Sequence, residues 1–202
     1  MKSYNSIPTK INSEIPIYAF DKLDGSNIRS EWTKKLGFHK FGSRNRLLGE
    51  DQGLIYKAKQ LILDKYADEL AEIFIKNRYQ KALCFFEFLG PQTFAGNHVE
   101  SDIHDVVLFD VNPFKKGILP PHEFIKTYGH LDTPKVLYTG KANQDLYDSV
   151  KNGTLEGMTD EGVVCKGKKS NQTIMFKIKS EKWLKRLMET CAGDVGKFNR
   201  LK

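Results

Sequence analysis

Asp21-Lys22-Leu23-Asp24-Gly25-Ser26-Asn27 brings a lysine, two carboxylates, a glycine, a hydroxyl and an amide into one short stretch. A lysine amine is a nucleophile when it is held rigid and neutral. A lysine at the end of an apolar strand, followed by a glycine turn, has that setting. The same stretch reads equally as a hairpin turn with a solvated lysine, because Asp-Gly is a common turn dipeptide. Glu87 interrupts Phe85-Phe86-Glu87-Phe88-Leu89, where a carboxylate is costly unless paired or bound to a ligand. Strand alternation offers it the solvent face instead, together with Phe85 and Leu89. Glu161-Gly162-Val163-Val164-Cys165-Lys166 sets a carboxylate at the mouth of an apolar run and a lysine at its far end; an ordinary strand start is the alternative. Lys177 and Lys179 alternate with Phe176 and Ile178 and so share a face, as an anion clamp or as a solvated edge. Phe109-Asp110 closes another apolar run, and an aromatic there is usually core. Ser43-Arg44-Asn45-Arg46 is a basic loop whose donors suit a phosphate or a ribose. There is no Walker-type glycine loop.

The elements that must hold these residues follow from periodicity and punctuation. Strands are expected at 15–20, 27–33, 38–44, 82–89, 105–111, 135–139, 162–166 and 173–179. Leu54, Ala58, Leu61, Ile62, Tyr66, Leu70, Ile73 and Phe74 recur at helical spacing, predicting either one helix over 53–77 or two that break near Asp64–Asp68. Pro91 and Gly96 mark a loop. Pro120-Pro121 opens a short helix to Tyr128, and a helix over 142–151 stops at Asn152-Gly153. Residues 181–191 form an amphipathic helix with Trp183, Leu184 and Leu187 on one face. Strands and helices do not alternate regularly, which disfavours a doubly wound sheet and leaves a mixed α+β chain.

The 202 residues suit one domain, and 40% hydrophobic content supplies its core. No apolar run is long enough to cross a membrane. Residues 1–14 lack the apolar core of a signal peptide, so a cytoplasmic protein, or a viral one acting in host cytoplasm, is expected. Cys84, Cys165 and Cys191 are widely spaced, which predicts free thiols and excludes a zinc ribbon or disulfide frame. A net charge of +7 suits a polyanionic partner, because lysines that neutralise phosphates release counterions. The basic residues cluster at Lys34–Arg46 and Lys166–Arg186, which is more informative than the total.

In order, Lys-x-Asp-Gly, an arginine, a glutamate in an aromatic strand, Phe-Asp, Glu-Gly-Val-Val-x-Lys and Lys-x-Lys resemble the motif set of the covalent nucleotidyltransferases. That superfamily holds ATP-dependent DNA ligases, RNA ligases and mRNA capping enzymes, and the resemblance spans residues 21–179. Asn27 stands where DNA ligases usually carry arginine, so the first motif is more similar to the nick-sealing RNA ligase 2 type. Asp24 departs from the histidine that type often carries.

The resemblance implies an α+β adenylyltransferase (ATP-grasp-like) domain of two mainly antiparallel sheets with flanking helices and the nucleotide in the cleft between them. It covers 1–202 as a single domain, with 1–14 a loosely ordered lead-in and 181–202 a C-terminal helix and tail. Residues 180–202 are too few for a further accessory domain, so a minimal ligase or an isolated catalytic domain is expected. It implies an ATP-dependent RNA ligase that joins 3′-hydroxyl and 5′-phosphate ends, uses Mg²⁺ or Mn²⁺, acts on nicked duplex or strand ends as a monomer, and has no membrane partner. Lys22 would attack the α-phosphate of ATP, with Asp24 beside it in the catalytic turn and Asn27 acting in sealing. Arg44 and Glu87 would hold the ribose, Phe109 would stack on adenine and Asp21 would lie at the adenine edge. Glu161 would bind the metal or the lysine, Lys177 and Lys179 would grip the α-phosphate, and Lys166 would stand on the phosphate side. A minimal DNA ligase is the nearest alternative, followed by a GTP-using capping enzyme and a non-catalytic nucleic-acid-binding module.

Overall fold

A computed structural model describes residues 1–10, 14–49, 53–93, 99–170 and 172–201. Gly96, expected in a loop, lies outside the described residues. The chain forms two compact units, Met1–Ser6 with Gly25–Thr133 and Ile7–Asp24 with Pro134–Lys202. Each is built on one four-stranded antiparallel sheet.

The sheet of the first unit is formed by β2 (Ser26–Thr33), β3 (Gly37–Ser43), β4 (Lys81–Leu89) and β5 (Asp105–Pro113), in the order β3-β2-β4-β5. One helix, α1 (Leu54–Lys76), supplies its buried face: Ala58, Ile62, Tyr66, Leu70 and Phe74 are all at most 2% exposed. These positions fall four residues apart throughout, so they form one stripe. Phe74 meets Trp32 of β2 edge-on and Tyr66 meets Phe86 of β4, at centroid distances of 5.1 and 5.3 Å. Of the two alternatives for this stretch the single helix holds, with no break near Asp64–Asp68. No proline or glycine lies between Leu54 and Lys76, Gln60 Nε2 donates to Asp64 Oδ1 one turn on, and Tyr66 anchors the middle of the helix. The Tyr66 hydroxyl lies 2.9 Å from the carbonyl of Val106 and 2.8 Å from that of Asp132. A short helix, α2 (Pro121–Tyr128), opens on Pro121, as the sequence predicts, and buries Phe124 and Tyr128.

In the second unit β1 (Pro16–Asp21), β6 (Val136–Lys141), β7 (Gly162–Lys169) and β8 (Gln172–Lys179) take the order β6-β1-β7-β8. Ile17, Ala19, Val163, Cys165, Phe176 and Ile178 form the core on one face, with Leu146 and Val150 of α3 (Gln144–Asn152). Asn143 caps α3 through Leu146 N, and Gly153 ends it in the left-handed conformation. The expected C-terminal helix is α4 (Glu181–Thr190), in which Trp183 and Leu187 are buried while Leu184 is half-buried. A further short helix, α5 (Val195–Leu201), occupies what reads as a tail. All three cysteines are free and buried.

Candidate active site

β1 carries the chain into Lys22, and two backbone hydrogen bonds fasten it there. Asp21 N donates to Lys135 O at 2.8 Å and Lys22 N donates to Gly162 O at 2.9 Å. The Lys22 ammonium donates to Glu161 Oε2 at 2.7 Å. The other carboxylate oxygen of Glu161 pairs with Lys179 Nζ at 2.8 Å. The Glu161 side chain is only 4% exposed, so one buried carboxylate holds two ammonium groups. Burial pushes the Lys179 amine down to about 8, and the neighbouring Lys22 charge acts in the same direction against the pull of Glu161. Glycine is required after Glu161. Gly162 has φ +132°, and a Cβ there would lie 2.2 Å from Ile178 O, so a side chain would force β7 and β8 apart.

Strand register explains the company that Glu161 keeps. Lys166 opposes Tyr18, and Lys177 and Lys179 oppose Val164 and Gly162. All therefore lie on the sheet face opposite the apolar core. Lys166 is 3% exposed, with Nζ 4.8 Å from the centre of the Phe20 ring. The backbone amide of Lys177 donates to Pro8 O.

The two aspartates of the first motif have separate settings. Asp21 Oδ1 accepts from Thr159 N and Thr159 Oγ1 at 2.9 and 3.0 Å. Burial raises its carboxyl despite those donors. Asp24 Oδ2 accepts from Trp183 Nε1 at 2.8 Å and from Arg186 Nη2 at 2.9 Å. Burial, followed by the Glu161 charge, pushes Asp24 up to about 6.

The remaining sequence-predicted residues belong to the first unit. Asn27 of β2 stands opposite Glu87 of β4 in the ladder. Its Oδ1 is buried and accepts no hydrogen bond among the described residues. Glu87 Oε1 accepts from Gly25 N at 3.1 Å, so this carboxylate is neither simply solvated nor apolar-buried. Gly25 is there because a Cβ would lie 2.3 Å from Phe88 O. Phe109 lies inside β5 rather than at its end. The β4–β5 register passes from Phe86↔Leu108 to Phe85↔Asp110, leaving Phe109 as the extra residue of a bulge. Its ring is met edge-on by Tyr4 at 5.1 Å and stacks near Phe85 at 6.3 Å. Arg44 is exposed in the bend after β3.

Sequence reasoning missed several supporting residues. Tyr4 falls in the stretch read as a loose lead-in, yet it donates to the buried Asp110 carboxylate. Arg29 Nη1 likewise holds Met1 O and Ser3 Oγ at 3.0 and 2.9 Å. Residues 1–10 carry no helix or strand, so no periodicity announces them. Thr159, Trp183 and Arg186 were legible only as loop and amphipathic helix, because their partners are over 130 residues away.

A protein-family model described as RNA ligase matches residues 15–185. Among curated proteins none matches the chain by sequence. An archaeal ATP-dependent RNA ligase structure superposes with a TM-score of 0.69 at 17% identity, over 100% of this chain and 56% of that one. A Naegleria gruberi RNA ligase solved with AMP and Mn gives 0.62 at 19% identity, over 87% and 52%. The same ligase with pyrophosphate gives 0.63 at 18%, over 85% and 51%. The chain thus spans about half the length of the solved structures it matches. At these identities the likeness establishes the fold: two antiparallel sheets with flanking helices, as the sequence predicts.

Proposed function

This chain belongs to the RNA ligase family, and from that premise we propose that it is an ATP-dependent RNA ligase that joins 3′-hydroxyl to 5′-phosphate ends through a lysyl-AMP on Lys22. The observation that carries the proposal is the Lys22–Glu161–Lys179 arrangement: a fastened amine on a buried carboxylate that also orients a second cation. In the first step the Lys22 ammonium gives a proton to Glu161, and the freed Nζ lone pair forms a bond to the α-phosphorus of ATP. The bond to the bridging oxygen breaks, and pyrophosphate leaves with that electron pair. Glu161, 2.7 Å from Nζ, takes the first proton, and the second passes to the leaving pyrophosphate or solvent as the phosphoramidate forms. Lys179, with Lys177 on the same face, neutralises charge on the phosphoryl oxygens, which is the main demand of phosphoryl transfer. The AMP then passes to a 5′-phosphate, and a 3′-hydroxyl displaces it.

Arg44 and Glu87 take the ribose, Phe109 the adenine, Asp21 the adenine edge, and Lys166 adds positive charge on the phosphate side. These roles rest on the motif resemblance, supported by the partly accessible Phe109 ring and Glu87 carboxylate. Asn27 acts in sealing; its buried, unpartnered Oδ1 suits a donor brought by the substrate. The two units serve together as one nucleotidyltransferase domain.

A divalent metal fits this chemistry. No cluster of three or more His, Cys, Asp or Glu side chains capable of holding a metal occurs among the described residues, and Glu161 is the residue that would hold it. Mg²⁺ and Mn²⁺ accept such sites, one carboxylate with substrate phosphates completing the shell. When bound, the metal supplies charge neutralisation at the phosphates.

Labelled ATP with magnesium tests the proposal. Label should become covalent on wild-type protein and be absent from Lys22→Ala. Nicked duplexes with RNA or DNA on the 3′-hydroxyl side then separate the RNA ligase from a minimal DNA ligase. Preferential sealing of the RNA nick is expected, and equal sealing would remove the preference. Label from GTP alone would indicate a capping activity instead.

A further inference from the structure

We infer that Arg186, acting with Trp183, is a positioning residue for adenylyl transfer, holding the turn that carries Lys22 and the strand entry that carries Glu161 in one fixed geometry. The inference rests on the function proposed above. α4 begins directly after the Lys179 strand, and its Ncap Ser180 ties it to the Glu161 segment. Ser180 N donates to Glu161 O at 3.0 Å, and Ser180 Oγ to Asp160 O. Trp183 and Arg186 are three residues apart, so they present to the same side of the helix. Both reach Asp24, two residues beyond Lys22, and both donate to the same oxygen, Oδ2. The second arm of the Arg186 guanidinium donates to Asp160 Oδ2 at 3.2 Å, one residue before Glu161. The Trp183 ring also lies under Lys179 Nζ, 3.5 Å from centroid to nitrogen.

One planar fork therefore spans the two chain segments whose end groups form the Lys22–Glu161 pair. A guanidinium can do this because its donors are rigidly coplanar, whereas an ammonium offers a single point of charge. Trp183 and Arg186 act on the Lys22–Glu161 pair through Asp24 and Asp160. Lys182 provides an internal control. It lies on the same helix and binds Asp160 Oδ1 at 2.9 Å, but it does not bridge to Asp24.

The test is single-turnover adenylation of the full chain with ATP and Mg²⁺ for wild type, Arg186→Gln, Arg186→Lys and Lys182→Ala, with melting temperatures alongside. Misplacing reacting groups by a fraction of an ångström to an ångström lowers rates by up to about 100-fold. Arg186→Gln should lose about 10- to 100-fold in the rate constant while the ATP KM stays within about threefold, the mark of lost alignment rather than lost binding. Arg186→Lys should recover part of that loss and Lys182→Ala should stay near wild type. An Arg186→Gln rate within about twofold of wild type would overturn the inference, as would equal losses in Arg186→Gln and Lys182→Ala that track melting temperature. If Arg186→Gln does not fold, Asp160→Asn replaces it: it cuts one arm of the bridge, and an unchanged rate would overturn the inference equally. A wild-type protein that takes no adenylate at all removes the proposed function and this inference with it; a normal wild type with normal variants removes only the inference.

Discussion

Glu161 is the residue on which the proposed chemistry turns, because both of its oxygens are committed to ammonium groups. Glu161→Gln keeps the shape and removes the charge that Lys22 and Lys179 share. Breaking a buried pair in this way costs about 3–5 kcal/mol. Denaturant unfolding should register most of that loss, and adenylation should fall with it. Asp24 behaves differently. Its folded carboxyl sits at about 6, above the unfolded value of 3.8, so the folded state binds the proton more tightly. That contribution is fully present below the unfolded value and is lost as the pH rises through about 6. Asp24→Asn abolishes the titration while leaving an acceptor for Trp183. The melting temperature of the variant relative to wild type should therefore rise by a few degrees between acid pH and pH 7.5, even as the Arg186 contact weakens. A difference that is flat across this range would contradict the assignment. Lys22, Glu161 and Lys179 each had a plain structural alternative in the local pattern and were singled out only by the resemblance of the ordered motif set; the structure pairs both lysines with Glu161. The Asp24 partners were not legible, since nothing in a local pattern pairs residue 24 with residue 186.

At the level of elements, α1 shows where local reading leaves two alternatives open. Asp64 to Asp68 looks like an interruption because it is polar, yet the helix is continuous through it. Tyr66 supplies the reason: its hydroxyl is satisfied by the carbonyls of Val106 and Asp132, and its ring packs on Phe86. Tyr66→Phe deletes the hydroxyl but leaves the Val106 carbonyl to Lys65 Nζ and the Asp132 carbonyl to Leu108 N, so it should destabilise by only about 0.5–1.5 kcal/mol without change in helix content. Thermal melting with far-ultraviolet circular dichroism checks both. Strand order and the Phe109 bulge were equally hidden, since each depends on which strands pair and not on any strand alone. Strand positions, the Pro121 start and the Gly153 stop were readable, because apolar alternation and punctuating residues act locally.

Over the whole molecule, positive charge is unevenly placed. Lys166, Lys177 and Lys179 share one sheet face of the second unit, and Lys168 and Lys169 are exposed near the end of β7. No described helix is long and apolar enough to cross a membrane. If the charge serves a polyanionic strand, affinity for a nicked RNA duplex should fall steeply with added salt, through release of counterions. A log-affinity against log-salt plot of zero slope would contradict an RNA partner. The central claim is narrower and more directly reached: Lys22 becomes covalently adenylylated. Intact-protein mass spectrometry before and after incubation with ATP and Mg²⁺ tests it, followed by peptide mapping. The expected result is a gain of one AMP, located on Lys22 and absent from Lys22→Ala. An unchanged mass in wild-type protein, or an adduct that survives in Lys22→Ala, would contradict the account.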